Sequence, residues 1–122
     1  MGAAFAEQIG RLYAGEVDGP ALTEAFRDAV VVVPTDGRDS LLTAVNHRVR
    51  WVYAFTDQRA LARFAVARGA RDQSWPFLTT RGARLLDVVV PAIGDPAGVV
   101  VDVGSDRPVF FPPTVTADGG VG

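Results

Sequence analysis

RVRWVYAFTDQRALARFA, residues 50–67, decides the fold. It opens on alternation, with Trp51, Tyr53 and Phe55 on one side and Arg50, Val52 and Ala54 on the other. Period two is the signature of a strand. The period changes at Thr56-Asp57, a pair suited to capping a helix, and Leu61, Phe64 and Ala65 then follow at helical spacing. One strand therefore runs straight into one amphipathic helix, closed by Gly69.

Upstream, Ala29-Val30-Val31-Val32-Val33 is a continuous β-prone run of the kind that fits a strand buried on both faces. Pro34 is expected to end it, and residues 35–40 (TDGRDS) carry turn chemistry. Residues 41–45 return as a second strand, 46–48 turn again, and the strand at 50–55 completes an antiparallel meander. Nearer the N-terminus, Phe5, Ile9, Leu12 and Tyr13 form a stripe over residues 3–13. Pro20 opens a second helix over 21–27, with Leu22, Ala25 and Phe26 facing inward. Only four large apolar residues tie the first segment down, so residues 1–19 are expected to form a mobile N-terminal helix.

Downstream, residues 74–80 (SWPFLTT) suit only a short strand near an edge, because Pro76 has no N–H to donate. Residues 81–90 (RGARLLDVVV) are ambiguous between helix and strand. The spacing of Leu85, Leu86, Val89 and Val90 favours helix, stopped by Pro91 and Gly94-Asp95-Pro96. Residues 99–103 (VVVDV) read as a strand, and 109–111 as a short final one. The expected fold is a single α/β (α+β) domain over residues 1–113. Its central sheet has five or six strands, mixed but mostly antiparallel, flanked by three or four helices. Residues 114–122 form a glycine-rich tail.

The chain has 122 residues, enough to bury roughly 65% of its unfolded surface without staples. It contains no cysteine, which removes disulfides, thiolate metal sites and thiol nucleophiles. A net charge of −2, from 12 arginines and 14 acids, is too balanced for a nucleic-acid footprint. Every basic residue is arginine, a mark of GC-rich codon usage. The N-terminus lacks the basic start and apolar run of a secretory signal, and no apolar run approaches the ~20 residues needed to span a bilayer. A cytoplasmic location is expected.

Candidate chemistry is sparse. His47 is the only histidine and falls in a turn between Asn46 and Arg48, with no nucleophile or orienting carboxylate placed beside it by spacing. Asp36, Asp39 and Asp95 sit in turn sequences that use aspartate for backbone reasons, without the spacing of a calcium loop. Ser40, Ser74 and Ser105 lack a nucleophile-elbow context. Two surfaces stand out. Arg59 and Arg63 lie one helical turn apart, followed by Arg68 and Arg71, and could meet an acidic partner. Trp75 and Phe77 flank a proline in a weak edge segment, where exposed apolar area would mark an interface. Trp51, Tyr53 and Phe55 read instead as core.

The order of motifs resembles the SseB N-terminal-domain family, with the composition of an actinobacterial-type member. The resemblance is carried by Val31-Val32-Val33-Pro34, by Trp51-Val52-Tyr53-Ala54-Phe55-Thr56 followed by a helix, and by the closing VVVDVGS at 99–105. It departs from the family pattern at Asp57 (often Ser), at Ala60 (where a Glu would complete a capping box) and at Asp102-Val103-Gly104 (usually Asn-Pro-Gly). The resemblance implies an α/β domain with no established reaction, so no catalytic residue is carried over. The expected function is a non-catalytic protein-interaction or scaffold domain, with no cofactor and no metal. Its expected partner is another protein, a further copy of the chain included, rather than nucleic acid or membrane. Arg59, Arg63, Trp75 and Phe77 are its candidate surface. One alternative is a small-molecule binder or enzyme using Asp, Arg and His side chains, with a pocket lined by Asp36, Asp39, His47 or Asp95. The other is a self-associating subunit using a strand edge or residues 109–113.

Overall fold

A computed structural model describes residues 3–38, 40–69 and 75–113. Helices α1 (Ala3–Tyr13) and α2 (Gly19–Asp28) precede strands β1 (Val30–Pro34), β2 (Thr43–Asn46) and β3 (Val49–Ala54). Helix α3 (Gln58–Ala67), strand β4 (Phe77–Arg81), a composite helix α4 over 82–93, and strands β5 (Ala97–Val101) and β6 (Val109–Phe111) complete the chain. The mixed α+β domain expected from the sequence is what the chain adopts.

The helix starts follow from their caps. The Asp18 carboxylate accepts the Ala21 N–H at 2.9 Å, and the Asp57 carboxylate accepts the Ala60 N–H at 2.8 Å, each occupying a donor the first turn leaves open. Asp57 thus does what Ser does at an N-cap. Helix α4 passes through Pro91 rather than stopping before it. Its middle, Leu85–Val89, is a π-turn in which the Val90 N–H bonds the Leu85 carbonyl. Pro91 follows in the first turn of the next α-helical segment, where a missing N–H is tolerated, and Gly94, at φ 85°, ends the helix instead.

Strand order departs from a simple meander. β2, β3, β5 and β6 form one sheet, with β3 and β5 parallel and the other pairs antiparallel. β1 pairs along its length with β4, far away in sequence, while the residues leading into β2 touch its end through the Thr35–Leu41 bridge and the Leu42 N–H to the Pro34 carbonyl at 2.9 Å. Reciprocal hydrogen bonds between Val32 and Phe55, at 2.9 and 2.8 Å, join the β1–β4 ribbon to the larger sheet. The His47-Arg48 turn, with φ of 53° and 67°, reverses the chain between β2 and β3.

Both faces of the sheet are covered. Val31, Val33, Val52, Ala54, Val99 and Val101 pack against Phe5, Ile9, Leu22, Phe26 and Leu85 of α1, α2 and α4. On the opposite face Val32, Tyr53, Phe55 and Val100 pack against Leu61 and Phe64 of α3. This double burial is why the central strands read as near-continuous valine. Two glycines permit close approach. A Cβ on Gly82 would strike the Phe26 carbonyl, and one on Gly98 would strike the Phe111 carbonyl and the Trp51 ring. Helix α1 is anchored in the first core by Phe5 and Ile9, and the Tyr13 hydroxyl donates to the Pro108 carbonyl at 2.6 Å.

Candidate interaction surface

The four residues singled out from the sequence fall into two patches, on α3 and on the segment entering β4, which meet where Trp75 packs against Phe64. Arg59 and Arg63 are exposed on α3, a helix with no acidic residue between Gln58 and Ala67. Arg68 is engaged elsewhere, donating to the Tyr53 hydroxyl at 3.2 Å with its guanidinium 4.8 Å from the centre of the Phe64 ring. Arg71 lies outside the described residues. Trp75 is partly buried, standing edge-on to Phe64 with ring centroids 5.7 Å apart. Phe77 (39% exposed) and Leu78 (41%) lie on β4, with β1 separating that strand from β3 and β5.

Arg63 belongs to a crevice of about 160 Å³ at the carboxyl ends of the parallel strands β3 and β5, where Thr56, Asp57, Asp102 and Ser105 also contribute. Asp102, read from the sequence as part of a strand, has left β5 and adopts φ 55°. Its carboxylate accepts both the Thr56 N–H and the Thr56 hydroxyl at 2.9 Å, which holds the left-handed backbone in place. Burial pushes its carboxyl above the usual aspartate range. The Thr56 bonds and Arg63 act against that shift, and the charge of Asp57 adds to it. Sequence reasoning missed this residue, although one charge inside a run of valines (VVVDV) was the available signal.

Asp36, His47 and Asp95 occupy three different exposed connections: β1 to β2, β2 to β3, and α4 to β5. Asp36 accepts the Arg38 N–H at 2.8 Å, the turn role expected of it. Asp39 lies outside the described residues. Among the described residues no group of three or more His, Asp or Glu side chains is placed to hold a metal ion, and no helix is long and apolar enough to cross a membrane. A groove of about 720 Å³ is apolar and runs between α1, α2 and β6, lined by Tyr13, Pro20, Pro108, Phe110 and Pro112.

The model of the SseB protein N-terminal domain matches residues 6–117, nearly the whole chain. The chain belongs to the SseB family. No curated protein and no solved structure gives a match. Within this SseB domain the match spans both patches, the Asp102 crevice and the apolar groove.

The β4 patch differs from the others because it presents backbone as well as side chains. Successive residues of a strand send their N–H and C=O groups to opposite sides. Val32 directs its pair toward Phe55, so Val31 and Val33 direct theirs toward Thr80 and Leu78 of β4. The Thr35 N–H to the Pro76 carbonyl and the Gly82 N–H to the Ala29 carbonyl, both 2.9 Å, keep the same parity. The backbone groups of Phe77, Thr79 and Arg81 consequently point away from β1, along an edge that no other described strand pairs with.

Proposed function

We propose that this SseB domain is a non-catalytic protein-interaction domain of the cytoplasm, and that its docking element is the free edge of β4. The observation that carries the proposal is the coincidence, on one five-residue strand, of outward backbone groups at Phe77, Thr79 and Arg81 with exposed Phe77 and Leu78. An extended segment added to such an edge gains main-chain hydrogen bonds, and the neighbouring side chains select it. The scatter of Asp36, His47 and Asp95 over separate exposed turns supports a binding role over catalysis by those groups.

Thr79→Pro tests it. Proline at an outward-facing N–H is tolerated in an edge strand, so the fold survives while edge pairing is blocked. Tagged wild-type domain and the variant would be used for affinity capture from the native organism, with further copies of the chain scored alongside other proteins. Capture by the wild type that disappears in the variant is expected. A variant that retains every protein the wild type captures overturns the assignment of the edge.

A further inference from the structure

The free edge of β4 is suited to one occupant above all, a second copy of itself. Sheet edges in monomeric proteins are usually guarded by proline, charge, a bulge or brevity. β6 has only three residues and is bracketed by Pro108 and Pro112-Pro113. β2 (TAVN) is likewise free of charge, proline and glycine, but it has only four residues and runs into the exposed Asn46-His47-Arg48 turn. β4 has five residues, and Phe77-Leu78-Thr79-Thr80 contains no charge, proline or glycine. It is also an outermost strand, hydrogen-bonded along its length to β1 alone among the described strands.

We infer that two copies of the chain pair antiparallel through β4 about a two-fold axis at Thr79, deepening and resting on the interaction role proposed above. In this register Thr79 faces Thr79 of the second copy, and Phe77 faces Arg81. Every outward N–H and C=O from 77 to 81 then finds a partner, and the two ribbons become one four-stranded sheet. The register is compatible in charge. Arg81, the only charged residue of the strand, meets an aromatic ring rather than another arginine, while still donating to the Asp28 carbonyl at 3.1 Å. On the opposite face Leu78 comes beside Thr80 of the second copy, which covers its exposed side. The strand length also fits. Gly82 turns into α4 immediately after Arg81, and Pro76 directs its carbonyl to Thr35, so neither extends the outward edge. A net charge of −2 opposes self-association only weakly.

A five-residue edge is small beside the ~1,600 Å² of a stable interface, so the dimer is weak and concentration-dependent. Sedimentation equilibrium from about 10 µM to 1 mM tests it, a range that brackets such an affinity. The wild-type mass should rise from 12.9 kDa toward twice that value. Thr79→Pro should stay monomeric, and Phe110→Ser, on the β6 edge, should dimerise as the wild type does. Thr79→Lys keeps the N–H but sets two like charges opposite each other, so it should weaken association at least tenfold with the fold intact by circular dichroism. A wild type that stays monomeric at 1 mM overturns the dimer. So does a Thr79→Pro protein that still dimerises. If the wild type is monomeric yet still captures another protein in a Thr79→Pro-sensitive way, the edge remains the docking element and only the second copy is excluded as its occupant.

Discussion

Two edges of the fold, β6 of the larger sheet and β4 of the ribbon, are built on opposite principles. At β6 the chain closes itself off. Pro108 and Pro112 remove donors on either side, the Pro108 carbonyl is taken by the Tyr13 hydroxyl, and Gly98 lets the Phe111 carbonyl and the Trp51 ring close over the neighbouring strand. Exposed Phe110 is braced edge-on against Trp51 at 5.3 Å. At β4 such devices stand only at the two ends, Pro76 and Arg81, and between them the backbone groups of Phe77 and Thr79 face outward. One margin therefore spends side-chain and proline chemistry on closure, while the other leaves its hydrogen-bonding capacity open. Exposed apolar area alone does not separate them, since Phe110 is more exposed than Phe77. The backbone does.

The sharpest way to break that comparison is a pair of prolines one residue apart. Leu78→Pro removes an N–H that faces β1 and should cost about 3 kcal/mol or more. Thr79→Pro removes one that faces solvent and should cost less than about 1 kcal/mol. Urea unfolding of the two variants reads the difference directly, and equal losses would show that the alternation assigned to β4 is wrong. At the closed margin, Gly98→Ala forces a methyl into the contact with Phe111 and Trp51 and should cost roughly 1–3 kcal/mol, without changing association through β4.

The smallest expected effect concerns Asp102. Its raised folded pKa means that the stabilising contribution is present below the unfolded aspartate value and is lost as pH rises through the folded one. Asp102→Asn keeps an acceptor for the Thr56 N–H, suits a positive φ and removes the desolvated charge. It should stabilise the domain at neutral pH by a few tenths of a kcal/mol, the scale of partly solvated charges. That gain should vanish as the solution is acidified into the carboxylate range. A variant less stable than wild type at neutral pH would mean that the charge on Asp102 is itself holding the loop to Thr56.

Much of the fold was legible because its signals are local. Alternation at 51–55, the caps at Asp57 and Gly69 and the valine run at 30–33 each specify an element without reference to distant residues. The family was legible from the same segments. What failed to show was non-local. Nothing in Val30–Pro34 states that its partner is Phe77–Arg81 rather than Thr43–Asn46, because a strand buried on both faces carries no preference for one neighbour. The π-turn hid behind the rule that proline ends a helix. The candidate surface was legible residue by residue, but Arg63 faces the Asp102 crevice while Phe77 lies on the ribbon, a separation that depends on strand order.

Residue-resolved amide hydrogen exchange along β4 tests the central claim most directly. In dilute solution Leu78 and Thr80 should be protected by β1, while Phe77, Thr79 and Arg81 exchange nearly as fast as unstructured amides. Raising the concentration toward 1 mM should slow Thr79 at least tenfold and leave Leu78 and Thr80 unchanged. If Thr79 is already protected in dilute solution, or stays fast at high concentration and in the presence of every captured partner, β4 is not an open edge waiting for a strand.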